Sequence, residues 1–241
     1  MRHFQSTGLV LLLLLSAGCA TLAPPAPIAA APVASVTVVL PPLLAAAHHG
    51  DRQTITRALV ANANVNETDD TGMSALMLAA REGHLDVAEL LVVHGAFVWK
   101  KNSQGMTALA YASARGHADM VRFLLANGAH ANVRTQQGDT PLILASLYGR
   151  TDTARVLVEH GAAVNLREVN GISALMIAAD GGNAEMVKLL LRRGADVNAA
   201  TSGGESALVL AREKGFRVIV ELLKNAGAVE PLGYTPSRDV A

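Results

Sequence analysis

Several features that commonly shape a fold are scarce in this chain. Cysteine occurs once in 241 residues, at Cys19, so no disulfide can form within the chain. Four Phe, three Tyr and one Trp are too few for a bulky aromatic core, and the abundant small and aliphatic residues favour helices that approach closely. Twenty basic and twenty acidic side chains, intermixed along the chain, give zero net charge. This balance leaves no broad cationic surface, and we therefore expect no nucleic-acid partner.

Recognisable catalytic patterns are also missing. No nucleophile stands at a known spacing from a base, no G-x-x-x-x-G-K loop could hold a phosphate, and the carboxylates show no pairing beyond the repeated segments. Direct catalysis would need a buried polar cluster with perturbed pKa values, which the sequence does not show. We therefore predict that the chain is not an enzyme and uses no cofactor.

Glycine, in contrast, recurs with a regular period. Three series keep an interval of 33 residues through five successive members. The series are Gly72, Gly105, Gly138, Gly171, Gly204; Gly83, Gly116, Gly149, Gly182, Gly215; and Gly95, Gly128, Gly161, Gly194, Gly227. A fixed period of this length is typical of stacked repeat proteins, which grow by adding units.

Each unit contains the signals for two short helices. A Ser or Thr two residues after the first glycine can cap a helix, and the next position tolerates proline, as at Pro141. The second glycine ends that helix because it can adopt positive φ. A second segment then carries apolar residues spaced three and four apart, as at Val87, Leu90 and Leu91, which predicts an amphipathic helix with one buried face.

The unit resembles the ankyrin repeat, whose signature includes T-P-L-H-x-A, then G-H and later G-A-D-V-N. The closest segments are DTPLILAS, beginning at Asp139, and RRGADVNA, beginning at Arg192. The resemblance covers about six units and implies an all-α ankyrin-repeat solenoid of stacked helix-turn-helix units with extended turn loops. The motif histidine is replaced in every full unit by Met, Ala, Ile or Val.

Histidines raise the possibility of a metal site, because His84 and His117 occupy equivalent places in successive units. Neighbouring helices pack about 8–10 Å apart, whereas two ligands of one zinc ion each lie about 2 Å from it. We therefore predict no metal site. By resemblance to ankyrin proteins, these two histidines would instead join adjacent turns by hydrogen bonds.

The same resemblance implies a protein partner on the concave face and the turn tips. Specificity would come from positions that differ between units. The candidate partner-binding residues are Arg81, Trp99, Met106, Arg115, Arg134, Leu147, Tyr148 and Ile172. Trp99 stands where other units have asparagine, and two interpretations apply to it: local packing against Phe97, or an anchor for the partner.

The N-terminus begins MRHFQSTGLVLLLLLSAGCA, with an early arginine, an apolar run over residues 9–15 and small residues before Cys19. The run is shorter than the ~20 apolar residues of a membrane span, and the pattern predicts a signal peptide at residues 1–18. It resembles the lipobox of bacterial lipoproteins, which implies lipid attachment at Cys19 and, with Ala20 following, sorting to the outer membrane. The alternatives are an ordinary signal peptide with an incidental cysteine, and an uncleaved anchor.

Composition divides the remaining chain. Residues 19–39 are rich in Ala and Pro and predict an extended tether; residues 40–230 are predicted to hold the repeats, and residues 231–241 a tail. We expect an exported, monomeric, periplasmic protein that contacts the membrane only through its N-terminal lipid. Two roles fit: a scaffold that binds a protein partner, or, by resemblance to bacterial periplasmic ankyrin proteins, an accessory or protective factor for an oxidant-handling enzyme.

Overall fold

The computed structural model describes residues 41–229 of the chain. The predicted signal peptide (1–18), the lipid-attachment residue Cys19 with the tether (19–39), and the tail (231–241) lie outside the described residues. No helix within the described range is long and apolar enough to span a membrane.

Helices dominate the described range, which contains twelve of them in six successive pairs and no named β-strand. The bounds are α1 Pro42–His49, α2 Arg52–Val60, α3 Ala75–Glu82, α4 Leu85–Val93, α5 Ala108–Arg115, α6 Ala118–Ala126, α7 Pro141–Leu147, α8 Thr151–Glu159, α9 Ala174–Asp180, α10 Ala184–Arg192, α11 Ala207–Glu213 and α12 Arg217–Asn225. Isolated antiparallel bridges close three of the turns between pairs, such as Thr68 with Ser74. The predicted all-α repeat solenoid is confirmed.

The first helix of each pair from α3 onward begins at a hydroxyl cap, as the sequence predicts. The Oγ1 of Thr107 accepts a hydrogen bond from the Ala110 N–H at 3.2 Å, and that of Thr140 accepts one from the Ile143 N–H at 3.2 Å. Ser74, Ser173 and Ser206 cap their helices in the same way. Each cap satisfies a backbone N–H that the helix itself leaves unpaired.

The ends of these helices differ partly from the prediction. Gly83 and Gly116 close α3 and α5 in the left-handed conformation, as expected. Helices α7, α9 and α11 end one residue earlier, so that the glycine follows the capping residue. The prediction was therefore wrong by one residue in three of the units, because the last turn of a helix can close on residues other than glycine.

Two columns of buried residues give the stack its curvature. Besides a leucine, the first helices bury an alanine in all six units, whereas the second helices bury a leucine at the facing position from the second unit onward. The alanines are Ala46, Ala79, Ala112, Ala145, Ala178 and Ala211, and the leucines are Leu91, Leu124, Leu157, Leu190 and Leu223. Because a smaller side chain permits a closer helix approach, the first helices of neighbouring units pack together more extensively than the second helices do. The stack therefore curves toward the first helices, which we call the inner helices.

A ladder of asparagines connects the units near the ends of the second, outer helices. The Nδ2 of Asn66 donates to the Gly95 carbonyl at 3.0 Å, and its Oδ1 accepts from the Phe97 N–H at 2.8 Å. Asn132, Asn165 and Asn198 make the same two bonds to the unit that follows each of them. Each asparagine therefore satisfies two backbone groups of its neighbour and holds the two units in register.

A second ladder involves the histidines at the start of the outer helices. The Nε2 of His84 lies 3.1 Å from the His48 carbonyl oxygen, and that of His117 lies 3.1 Å from the Arg81 carbonyl oxygen. The prediction that these histidines join adjacent turns is confirmed. In the next unit, the Nε of Arg150 replaces histidine and donates to the Ala114 carbonyl at 3.3 Å.

Replacing Thr153 by valine should stabilise the protein. Thr153 is buried in α8, and within the described range its hydroxyl has no hydrogen-bond partner. The equivalent residues of the second, third, fifth and sixth units are Val87, Met120, Met186 and Ile219. Valine has nearly the same shape without the unsatisfied group, so we expect the free energy of unfolding to rise by about 1 kcal/mol. Urea denaturation measures the change.

The matched control is Thr107→Val, which removes a hydroxyl that caps α5 and should lower the free energy of unfolding by about 1 kcal/mol. A Thr153→Val protein that is no more stable than the wild type would mean that this hydroxyl is satisfied in solution.

Candidate protein-binding face

The curvature leaves the C-terminal ends of the inner helices on the concave side of the stack. We call these ends the inner face. From the first unit to the sixth, the face presents His48 and His49, Arg81 and Glu82, Ala114 and Arg115, Leu147 and Tyr148, Asp180 and Gly181, and Glu213 and Lys214. The pairs differ in charge and polarity from unit to unit, so the face offers a different chemistry at each step along the stack.

A three-residue charge cluster occupies the N-terminal part of the inner face. The Nε of Arg81 donates to the Oε1 of Glu82 at 2.7 Å, and the Nδ1 of His48 lies 3.4 Å from the same oxygen. Partial burial would raise the pKa of Glu82, but the hydrogen bond from Arg81 and the nearby cations hold this pKa below its ordinary value. Glu82 is therefore ionised at neutral pH and neutralises Arg81.

Arg115, one unit further on, is exposed and makes no hydrogen bond or ion pair with any residue in the range 41–229. Tyr111 lies one turn earlier on the same helix and is half-buried. Its hydroxyl accepts a hydrogen bond from the Nδ2 of Asn102 at 2.9 Å, and burial raises the pKa of the phenol, which stays neutral. The helix α5 thus presents the charged guanidinium of Arg115 and, one turn earlier, the neutral hydroxyl of Tyr111, whose orientation is fixed by Asn102.

Tyr111 was missed by sequence reasoning. The equivalent positions of the other units hold Ala45, Leu78, Leu144, Ile177 and Leu210. The only signal in the sequence was therefore one residue with a polar hydroxyl among aliphatic equivalents.

The centre of the inner face is apolar. Leu147 is 53% exposed and Tyr148 is 55% exposed, at the end of α7. Two adjacent large side chains left uncovered on a concave surface are typical of a contact site for another molecule.

Three other candidate residues lie in the turns. The guanidinium of Arg134 donates to the Arg167 carbonyl, while the Nζ of Lys101 donates to the Arg134 carbonyl at 2.9 Å. Arg134 therefore belongs to a row of cations that joins successive turn tips, although it remains exposed. Met106 and Ile172 are half-buried, and Ile172 packs against the core.

Trp99 is separate from the inner face, because it follows the glycine that closes the outer helix α4. It is 61% exposed and stacks on Phe97 with ring centroids 5.1 Å apart and planes 19° from parallel. The two lysines that follow Trp99 both donate hydrogen bonds: Lys100 to the Asn66 carbonyl and Lys101 to the Arg134 carbonyl. The eight candidates thus divide among the inner face, the turns and this outer loop.

Trp99→Asn should raise the melting temperature. The asparagine could donate to the Gly128 carbonyl and accept from the His130 N–H, restoring the one interrupted step of the asparagine ladder. Two hydrogen bonds at about 1 kcal/mol each outweigh the loss of an exposed stack worth about 0.5–1.5 kcal/mol, so we expect a net gain of about 1 kcal/mol, measured by a thermal melt.

The reverse change in the next unit, Asn132→Trp, provides the control and should lower the melting temperature. If Trp99 only packs against Phe97, Trp99→Asn should leave partner affinity unchanged; if it anchors the partner, affinity should fall at least tenfold, as for an interface hot spot of about 2 kcal/mol or more. A lower melting temperature for Trp99→Asn would contradict the ladder explanation.

Within the described range, no group of three or more His, Cys, Asp or Glu side chains could hold a metal ion.

The repeated helix pairs, the bonds between units and the varied inner face together define a helical-repeat interaction module. A family model described as ankyrin repeats in three copies matches residues 36–102 and 98–168, and a second, described as ankyrin repeats in many copies, matches residues 157–211.

These matches cover more than half of the chain, which belongs to the ankyrin repeat family. The comparison with curated proteins found no match. Ankyrin repeats generally mediate protein–protein binding and are typically non-catalytic scaffolds.

Proposed function

We propose that this chain is an exported, lipid-anchored scaffold that binds a protein partner in the periplasm through the inner face and the turn tips. The observation that carries the proposal is the uncovered pair Leu147 and Tyr148 on the concave side of the stack. Burying such side chains against a partner is favourable by about 25 cal/mol per Å² of apolar surface.

The rigidity of the stack supports a scaffold role. The asparagine ladder and the row of turn cations use backbone groups of one unit to hold side chains of another. A surface held in place before binding loses little conformational entropy when the partner arrives. The inner face is therefore suited to binding a partner with little rearrangement.

Binding through the inner face is tested by photo-crosslinking in an envelope fraction, with the crosslinked partner identified by mass spectrometry. Leu147→Ser and Tyr148→Ser should each reduce partner capture. The matched control is Val218→Ser, because Val218 is 61% exposed and lies on the outer helix α12. Equal partner capture by the wild type and the three variants would contradict binding through the inner face.

The identity of the captured partner also separates the two roles. Capture of an oxidant-handling enzyme that loses activity or lifetime without this chain would favour the accessory role.

Lipid anchoring rests on the sequence around Cys19, the sole cysteine, which directly follows a signal-like segment. Cys19→Ser should move the protein from the membrane fraction to the soluble fraction and remove the mass of the acyl chains, whereas Ala30→Ser should change neither. Stable attachment requires more than one acyl chain, so the expected mass increment corresponds to several. Membrane fractionation of Cys19→Ser, together with an unmodified wild type, would contradict this part of the proposal.

A further inference from the structure

The charges on the inner face are unevenly satisfied. Arg81 is neutralised by Glu82 at 2.7 Å, and Asp180 is paired with the Nζ of Lys214 at 3.5 Å. Arg115 lies between these two pairs. Its charge is close enough to Glu82 to help lower the pKa of that carboxyl, but Arg115 makes no direct ion pair or hydrogen bond within residues 41–229. An exposed guanidinium binds a carboxylate well because it presents two parallel N–H donors to the two oxygens.

The apolar part of the face begins one unit beyond Arg115. Arg115 and Tyr148 are equivalent residues, 33 positions apart, at the ends of the adjacent inner helices α5 and α7. Leu147 and Tyr148 are each more than half exposed. The face therefore presents a site for a negative charge beside a site for a large apolar side chain.

The spacing of these two sites sets the spacing in the ligand. Packed helices lie about 8–10 Å apart. A polyproline II segment advances about 3.1 Å per residue with three residues per turn, so residues three positions apart face the same side. One step of the stack therefore corresponds to about three residues of such a segment.

We infer that the inner face binds a peptide segment extended in the polyproline II conformation, in which an acidic residue and a large apolar residue stand three positions apart. The acidic side chain pairs with Arg115, and the apolar side chain covers Leu147 and Tyr148. This inference rests on the proposed function, since it specifies the partner of the same face.

The test uses a random dodecapeptide library displayed on phage and selected on the purified full chain. We expect enriched peptides to share an Asp or Glu three positions from a Leu, Met, Phe, Tyr or Trp. Selection on Arg115→Glu should replace the acidic residue with Lys or Arg and keep the apolar one. Selection on Leu147→Ser should keep the acidic residue and lose the apolar preference.

Arg122→Glu supplies the matched control, because Arg122 is an exposed cation in the same unit but on the outer helix α6. A fluorescein-labelled copy of the most enriched peptide should bind Arg115→Glu at least about tenfold more weakly than wild type by anisotropy, and bind Arg122→Glu equally well. Circular dichroism melts confirm that each variant is folded.

Four results would overturn the inference. Enriched peptides without an acidic residue, or an unchanged consensus on Arg115→Glu, would contradict the pairing of Arg115 with an acidic side chain of the peptide. A spacing of seven positions would indicate a helical segment, which advances about 1.5 Å per residue. No enrichment on the wild type would mean that the face does not recognise a short extended segment. The crosslinking test is independent of these results. Loss of partner capture by Leu147→Ser and Tyr148→Ser would still support the scaffold proposal even if the peptide inference failed.

Discussion

Deleting residues 199–241 should lower the melting temperature more than any substitution described above. This deletion removes α11 and α12, which pack against α9 and α10 and contribute buried Leu208, Ile219 and Leu223. It also removes the Gly227 carbonyl and the Val229 N–H that bind the side chain of Asn198. The terminal unit of a stack covers the apolar face of its neighbour, so its loss exposes that face to water.

We expect the cost to exceed the 2–5 kcal/mol or so that truncating one buried leucine to alanine requires, because several such residues leave together. Circular dichroism melts of the truncated and full chains measure it. The control is deletion of residues 231–241, which retains both helices and both bonds to Asn198 and should change the melting temperature little. If the longer deletion has the same melting temperature as the full chain, the sixth helix pair does not cap the stack.

Gly105→Ala should destabilise the protein by about 3 kcal/mol or more. Gly105 has φ +77°, where a residue with a Cβ atom pays about 1–2 kcal/mol. The added Cβ would also lie 2.8 Å from the backbone nitrogen of Gln136 and 3.0 Å from the carbonyl carbon of Thr135, in the turn of the next unit. That turn cannot shift freely, because the Gln136 N–H donates to the Gln104 carbonyl at 3.0 Å. Relieving such a clash typically costs a further 1–3 kcal/mol or so.

Gly128→Ala is the matched control. Gly128 has φ +87°, but no atom beyond its chain neighbours lies within 4 Å of the Cβ that would be added. It should therefore show only the backbone cost of about 1–2 kcal/mol, and the difference between the two variants measures the contact between neighbouring turns. Equal free energies of unfolding in urea would mean that the turns separate enough to accept a methyl group.

Local rules explain why most of the fold could be predicted. A hydroxyl such as that of Thr140 caps the helix that begins one residue later, and a glycine such as Gly83 takes the left-handed conformation that ends a helix. Both effects act within a few residues, so they can be recognised in the sequence. Asn62 shows the limit of this approach: it adopts φ +58° in the first unit, in the place of the third glycine series. Asparagine tolerates this conformation but marks it less clearly than glycine does.

The candidate site was predicted less completely. Leu147, Tyr148 and Arg115 are exposed, as positions that vary between units were expected to be. Arg134 donates to a carbonyl in the next turn, and Ile172 packs against the core. These differences arise from contacts between units, which the sequence of one unit does not specify.

The sequence alone determined the period, the number and kind of helices in each unit and the family, because caps, glycine turns and apolar spacing act within one unit of 33 residues. Tertiary structure alone decided the curvature, since this depends on alanine columns in the inner helices meeting leucine columns in the outer ones. It also decided which charges on the inner face are neutralised. The pairing of Asp180 with Lys214 joins residues one unit apart, and such distances are set only when the units stack.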